Sequence, residues 1–344
     1  MQLELPTSFP TSVHVLERLD PSLLPSGPWV LVGDEAIQAT WLGAGMPVPP
    51  GSQWVSVGET SKRLETLVPW LETWATLPLH RDACIVAVGG GVLTDMVGLA
   101  ASLFLRGVAW QAWPSTLLAQ IDASLGGKTA VNLAAGKNLA GAFHPPERLV
   151  VCSQFLESLP LRQQNSGRWE LIKAAFLEGD TDWAEHLLAP LQPSSQDLAR
   201  ALAIKAELVH RDLRETGERK LLNLGHTLGH ALEAASDFRL LHGEAVGLGL
   251  LAACFLAESQ GLPPFPPALL HLLAAALRPL VADIAPWEAC LPWLLRDKKM
   301  AANPKGSHPA VHCVLPQPGI RAELRFLPPD AWAAAHAKLL AFLS

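Results

Sequence analysis

Across the first 160 residues, short runs rich in Val, Ile and Trp alternate with stretches whose apolar positions recur at helical spacing. Trp29 to Val32, Trp54 to Val57, Cys84 to Val88, Val108 to Ala112 and Leu149 to Cys152 predict strands. Between them, Lys62 to Ala75 and Thr94 to Phe104 predict helices. Strands that alternate with helices pair side by side through crossovers, so the pattern predicts a parallel sheet. After Ser153 the strand signal fades and longer helical patterns follow, with Gln196 to Leu213, His226 to Ala234 and Gly243 to Glu258 the clearest. Near the end, His312 to Leu315 and Ile320 to Phe326 flank Pro316-Gln317-Pro318-Gly319, a turn signal that predicts a hairpin. The expected organisation is an α/β domain over residues 1–158 and a mostly α-helical domain over 159–344.

Composition narrows the function classes. With 344 residues, 49% hydrophobic and 17% charged, the chain can bury two cores and is not disordered. A formal net charge of -6 leaves no basic stripe to neutralise a phosphate backbone, which argues against nucleic acid as a partner. The longest apolar stretch without charge or proline, Ala245 to Ala257, falls short of the ~20 residues that cross a bilayer. Glu4 precedes any apolar run and no basic leader is seen, so the chain is expected to stay in the cytoplasm without a membrane partner. Its five cysteines are scattered with no CxxC pair and read as reduced core residues. The absence of tyrosine removes that side chain from any catalytic role.

Three clusters carry candidate chemistry. Val86-Ala87-Val88 runs into Gly89-Gly90-Gly91 and then a helix opening near Thr94-Asp95, where free backbone N–H groups and the positive helix end suit a pyrophosphate. A glycine turn that serves packing alone explains the same letters. Glu59 and Lys62, at the end of another predicted strand, suit the adenosine half of a dinucleotide or a solvated helix cap.

The second cluster is Lys205, Asp212, Glu215, Arg219, Asn223, His226 and His230, spaced by three, four or seven residues, which an uninterrupted helix would gather on one face. Gly217 and Gly225 are expected to interrupt that helix, and a solvated stripe accounts for its first half equally well. His226 and His230 lie among apolar residues, and with His242 nearby they suggest a divalent metal site that still wants a carboxylate, for which Glu170 is the candidate. The third cluster is Asp122, Lys128, Lys137 and Asn138, in a run where Gly126, Gly127, Gly136 and Gly141 predict a tight loop able to grip phosphate or carboxylate.

Taken together, GGGVLTD (Gly89 to Asp95), PSTLLAQIDASLGGKTAVN (Pro114 to Asn132), GKN (Gly136 to Asn138), LNLGHTLGHALE (Leu222 to Glu233) and LHGEAV (Leu241 to Val246) resemble the 3-dehydroquinate synthase family of sugar-phosphate cyclases. The resemblance extends from about Trp29 to Lys299. It implies a Rossmann-like N-terminal domain and a helical C-terminal one, a fold shared with glycerol-dehydrogenase-like enzymes. It also implies tightly held NAD, Zn²⁺ or Co²⁺, and a homodimer in which Arg106 reaches the neighbouring subunit's site.

Residue by residue, the resemblance implies metal ligands at Glu170, His226 and His242, with His230 a non-ligand. It implies NAD contacts at Asp34, Glu59, Lys62, Gly89, Gly90, Gly91, Asp95, Ser115, Thr116, Asp122, Lys128 and Lys137. The substrate set it implies is Arg106, Asp122, Lys128, Asn138, Lys173, Lys205, Arg219, Asn223, His230 and one of Lys298 and Lys299. Among these, Lys128, Lys173, Asn223 and His230, together with Glu215, are the catalytic candidates. The reaction it implies is transient oxidation of a hydroxyl of 3-deoxy-D-arabino-heptulosonate 7-phosphate by NAD⁺, phosphate elimination, return of the hydride, ring opening and aldol closure to 3-dehydroquinate.

Two departures from the family pattern stand out: Ser166-Gly167-Arg168-Trp169 replaces the usual stretch of small residues, and Thr94 stands where Gly is common. Sibling cyclases making 2-deoxy-scyllo-inosose or valiolone lack the carboxylate-gripping set, which Lys205, Arg219 and Asn223 supply here. A metal-dependent polyol dehydrogenase would not need so many cations, and a non-catalytic scaffold would have lost ligands that this chain keeps.

Overall fold

The alternation in the first 160 residues folds as one parallel sheet. The computed structural model describes residues 1–3, 11–189, 192–296, 300–301 and 310–344, and contacts divide the chain into two units: Met1–Gln164 with Ser194–His210, and Asn165–Pro193 with Arg211–Ser344.

The first unit holds β1 (Ser12–Leu16), β2 (Trp29–Asp34), α1 (Glu35–Gly43), β3 (Gln53–Val55), α2 (Leu64–Ala75), β4 (Cys84–Gly89), α3 (Gly91–Leu103), β5 (Ala109–Pro114), β6 (Lys128–Leu133), β7 (Gly136–Phe143) and β8 (Arg148–Cys152). Six strands form a sheet in the order β1-β8-β5-β4-β2-β3, every pair parallel. All five strands expected over residues 29–152 are present in it. A parallel strand covered on both faces must be apolar throughout, and all six residues of β4 are buried. Leu31, Val86, Val88 and Val150 pack there with Trp41 and Trp113, whose rings meet edge to face at 5.4 Å.

The expected glycine loop between Gly126 and Gly141 is instead an antiparallel hairpin of β6 and β7. Its glycines permit pairing as well as turning: a Cβ on Gly141 would overlap the Thr129 carbonyl oxygen. Glycines at strand spacing look the same in sequence whether they serve a turn or a close backbone approach.

The second unit holds α4 (Leu161–Glu178), whose first turn belongs to the first unit, and α5 (Thr181–Leu188). The next helix, α6 (Ser195–Arg211), belongs to the first unit as far as His210. The second unit continues through α7 (His226–Ala235), α8 (His242–Ser259), α9 (Pro267–Leu277), α10 (Trp287–Arg296), β9 (Met300–Ala301), β10 (Ala310–Gln317), β11 (Ile320–Leu327) and α11 (Pro329–Leu343). Strands β10 and β11 form the hairpin that the Pro-Gln-Pro-Gly turn predicted. Among the described residues no single helix is long and apolar enough to cross a membrane.

Helix α8 is central: residues Gly243 through Ala257 are all buried, and from Ala245 onward that run is apolar on every face. It lies backbone to backbone against α7. A Cβ on Gly249 would overlap the Gly225 carbonyl oxygen, and one on Gly229 would come within 2.9 Å of the Ala245 oxygen. At the start of α8, a Cβ on Gly243 would overlap the Ser166 carbonyl of α4, and the Gly243 N–H donates to Ser166 Oγ at 3.1 Å.

Gly249→Ala should therefore destabilise the chain by about 1–3 kcal/mol, since neither backbone can recede without moving its helix. Gly43→Ala, at the end of α1 with nothing within 4 Å of the new methyl, should be neutral or stabilising by up to ~1 kcal/mol. Urea unfolding followed by circular dichroism distinguishes the two, and equal midpoints would contradict the packing argument.

Candidate functional site

In the second unit the close approach of three helices brings Glu170 of α4, His226 of α7 and His242 of α8 together. Glu170 Oε1 lies 3.5 Å from His226 Nε2 and 3.7 Å from His242 Nε2. Among the described residues neither Glu170 carboxylate oxygen, both buried, has a hydrogen-bond partner, although the Lys173 ammonium, one turn along α4, lies against Oε2. That ammonium also donates to the Leu222 carbonyl at 3.0 Å.

Each imidazole has an acceptor opposite Nδ1. His226 Nδ1 faces the Leu224 carbonyl at 3.0 Å, and His242 Nδ1 faces Glu233 Oε2 at 3.1 Å. An acceptor there assigns the proton to Nδ1 and turns the Nε2 lone pair inward. A buried carboxylate lacking hydrogen bonds, approached by two neutral imidazole nitrogens, is a donor set suited to a divalent ion of the Zn²⁺ type. His230, one turn after His226, is exposed. Its ring lies 5.2 Å from that of His226 and 5.7 Å from that of His242, and the three histidines alone also place ligating nitrogens within 4.8 Å of one another. The described residues thus hold two overlapping donor triads, and Glu170 belongs to one of them.

The polar stripe expected from Lys205 to His230 is broken by the fold. Helix α6 stops at Arg211 because the Asp212 carboxylate accepts backbone N–H bonds from Thr216, Gly217 and Arg219 and closes a turn. Burial opposes the charge on Asp212, but those N–H groups hold its carboxyl below the usual range. Lys205 points to Asp122 within the first unit, where its ammonium meets Asp122 Oδ1 and the Asp122 carbonyl. Arg219 is buried and donates to the Leu213 carbonyl at 2.6 Å. Asn223 donates to Glu215 Oε1 at 2.7 Å.

In the first unit the candidate cofactor residues line up along the carboxyl ends of neighbouring strands. Asp34 ends β2, Gly89 ends β4 with Gly90 and Gly91 opening α3, and Ser115 and Thr116 follow β5. Chain order runs from β2 outward to β3 and then back to β4, so the order of strand addition reverses between β2 and β4, a position where ligands commonly bind. A Cβ on Gly89 would press on Asp34 Cβ at 3.1 Å.

Beside that edge, the Lys62 ammonium is buried between Asp95 Oδ2 at 2.6 Å and Asn138 Oδ1 at 2.7 Å. Asn132, which no sequence pattern singled out, links the group: its Nδ2 donates to Glu59 Oε1 at 2.7 Å and its Oδ1 accepts from the Asn138 N–H at 2.8 Å. Lys128 and Lys137 lie exposed on β6 and β7. Arg106 is exposed after the end of α3, and three site candidates carry left-handed backbones: Arg106 (φ 67), Asn138 (φ 54) and Glu215 (φ 58). Such strain in non-glycine residues persists where the surroundings impose it. Lys298 and Lys299 fall outside the described residues.

Glu233 was also missed, although it ends the motif that contains both helical histidines. Its position three residues after His230 and seven after His226 placed it on their face. Only the fold brings His242 against it. The family departures are absorbed locally: the Trp169 indole covers Gly247 of α8, where a Cβ would come within 2.5 Å of the ring, and Thr94 Oγ1 donates to the Gly91 carbonyl at 3.1 Å.

Burial pushes the Asp95 carboxyl up to about 6 despite the Lys62 ammonium beside it. A carboxyl raised in the folded state contributes stability that is full below its unfolded value near 3.8 and lost as pH rises through about 6. Between pH 4 and 7 the unfolding free energy of the native chain should fall relative to Asp95→Asn by on the order of 1–3 kcal/mol, measured by urea titration. A constant difference across that range would show that Lys62 keeps Asp95 ionised throughout.

The sequence matches the family description 3-dehydroquinate synthase N-terminal over residues 52–166 and 3-dehydroquinate synthase C-terminal over 167–300. It is 44% identical over 209 residues to a 3-dehydroquinate synthase of Latilactobacillus sakei, covering 59% of each chain, and 38% identical over 278 residues to that of Lactiplantibacillus plantarum, covering 78% of this chain and 75% of the other. The match thus spans about three fifths of the length of the first of these relatives. Among solved structures, a 2-epi-5-epi-valiolone synthase from Streptomyces hygroscopicus with NAD⁺ and Zn²⁺ bound superposes with a TM-score of 0.77 at 26% identity, covering 99% of both chains. Both halves of the family follow one another in order over residues 52–300, and the chain belongs to the 3-dehydroquinate synthase family.

Proposed function

We propose that the chain catalyses its family's reaction, converting 3-deoxy-D-arabino-heptulosonate 7-phosphate to 3-dehydroquinate and inorganic phosphate, as a cytoplasmic homodimer. The observation that carries the reading is the buried Glu170 carboxylate, which faces two inward-turned imidazole nitrogens and, beyond the Lys173 ammonium against Oε2, has no hydrogen-bond partner among the described residues. A structural carboxylate at that depth would be hydrogen-bonded. The five cysteines, all free and buried, agree with a reducing compartment.

In this reading Glu170, His226 and His242 hold the divalent ion, and the Gly89–Gly91 turn with the start of α3 holds the cofactor pyrophosphate. When bound, NAD⁺ takes up and returns a hydride while the divalent ion polarises the hydroxyl being oxidised. Asp34 and Glu59 accept ribose hydroxyls, and Lys62, held by Asp95 and Asn138, sets the electrostatics of that edge. Ser115, Thr116, Asp122 and Lys137 complete the cofactor set.

Arg219 offers a planar guanidinium to the substrate carboxylate. Lys128, Lys173, Lys205 and Asn138 are the groups for its phosphate and hydroxyls, and Arg106 serves the partner subunit's substrate. The ammonium of Lys173 is already held by Glu170 and the Leu222 carbonyl, so it needs little reorganisation to act. Asn223, oriented by Glu215, and the exposed His230 direct the leaving phosphate and its proton.

Purified protein supplied with 3-deoxy-D-arabino-heptulosonate 7-phosphate, NAD⁺ and Zn²⁺ or Co²⁺ should release phosphate in step with 3-dehydroquinate and accumulate no NADH. Accumulating NADH would mark a dehydrogenase instead, and absence of phosphate release would reject the proposal. His242→Ala should lower Zn²⁺ binding at micromolar free ion from one equivalent to well under half and abolish turnover, with the far-ultraviolet circular dichroism of the native chain. Dialysis followed by metal analysis reads the stoichiometry independently of turnover, and full Zn²⁺ occupancy in the variant would overturn the ligand assignment.

A further inference from the structure

Glu233 sits in the last turn of α7, where the negative end of the helix dipole disfavours a carboxylate. Local preference therefore does not account for it, and a residue that works against its own element is usually kept for a tertiary reason. It lies on the face of α7 that also carries His226 and His230. The side chain is largely buried, at 16% exposure, with Oε2 3.1 Å from Nδ1 of His242, the first residue of α8.

We propose that Glu233 is the positioning residue of the metal centre: its carboxylate holds the Nδ1 proton of His242, fixes the ring, and strengthens Nε2 as a donor. The proposal rests on the reading that Glu170, His226 and His242 take a divalent ion. His226 provides the internal comparison. Its Nδ1 faces a neutral acceptor, the Leu224 carbonyl only two residues away, in the turn that precedes α7. For His242 the acceptor opposite Nδ1 comes from a different helix. The Glu233 to His242 contact therefore does two things at once. It selects the tautomer that leaves Nε2 able to bind a cation, and it ties the start of α8 to the end of α7, which keeps Nε2 within 3.7 Å of Glu170 Oε1. A carboxylate behind an imidazole ligand also raises its basicity, and loss of such a partner commonly costs 10–100-fold in metal affinity.

The test measures Zn²⁺ affinity by competition with a chromophoric chelator, and the visible absorption of the Co²⁺-loaded protein, for the native chain, Glu233→Ala, Glu233→Gln and His242→Ala. Glu233→Ala should bind one Zn²⁺ about 10–100-fold more weakly and shift the Co²⁺ bands, because the ring loses its orienting partner. Glu233→Gln keeps an acceptor for Nδ1–H but not the charge. It should recover part of the loss, with an unfolding midpoint equal to or above the native one because the helix end no longer carries a negative group. A merely structural role predicts the reverse, a lowered midpoint with unchanged Co²⁺ bands. Native Zn²⁺ affinity in Glu233→Gln, or in a folded Glu233→Ala, while His242→Ala has lost binding, would overturn the positioning role and leave the metal reading standing. Native affinity in His242→Ala would remove the metal reading and this proposal with it.

Discussion

The contact of helix backbones through glycine is the constraint on which the second unit's chemistry rests. Side chains reach only a few ångströms, so a carboxylate and two imidazoles on three separate helices share a point only if those helices nearly touch. Gly225, Gly229 and Gly249 bring α7 and α8 together, and Gly243 brings α8 against Ser166 of α4. His226 and His242 are the first residues of their helices, while Glu170 lies at mid-helix in α4. The donors therefore sit at the meeting place of two helix starts and one helix flank, a region made rigid by the same approach.

Burying a carboxylate there is costly without compensation. Lys173 offsets part of that cost through its ammonium, and the inward-facing imidazole nitrogens present lone pairs rather than protons, so they do not supply the rest. A donor set arranged in this way suits a cation, the ligand that the proposed function gives it. Trp169 adds to the firmness: its indole lies on Gly247, so the residue before Glu170 anchors α4 to α8.

The first unit solves a different problem with the same economy. A parallel sheet delivers the carboxyl ends of its strands to one edge, and the reversal of strand order between β2 and β4 leaves Asp34 and the Gly89–Gly91 turn side by side there. The Lys62, Asp95, Asn138 and Asn132 network then ties the β6–β7 hairpin to the segment carrying Glu59. Residues assigned to cofactor and to substrate thus share hydrogen bonds, and a shift in one is felt by the other.

Much of this was legible in the chain. Apolar periodicity determined the five sheet strands over residues 29–152, the helices bearing His226 and His242 and the closing hairpin, because burial on a helix or strand face repeats at a fixed interval. Motif strings pointed to the family, and the resemblance to Glu170, His226 and His242 as candidate metal ligands. Periodicity could not tell that Gly126 to Gly141 frame a hairpin, since glycine permits turning and close pairing alike. Nor could it show that Lys205 turns to Asp122 rather than joining His226 on one stripe, because the Asp212 turn that ends α6 depends on backbone hydrogen bonds without a periodic signature. The partnerships of Glu233 with His242 and of Asn132 with Glu59 belong to the tertiary structure alone. Sequence determines which faces must be buried; which residues of different elements then meet is decided by how closely the backbones approach, and that is a property of the packed chain.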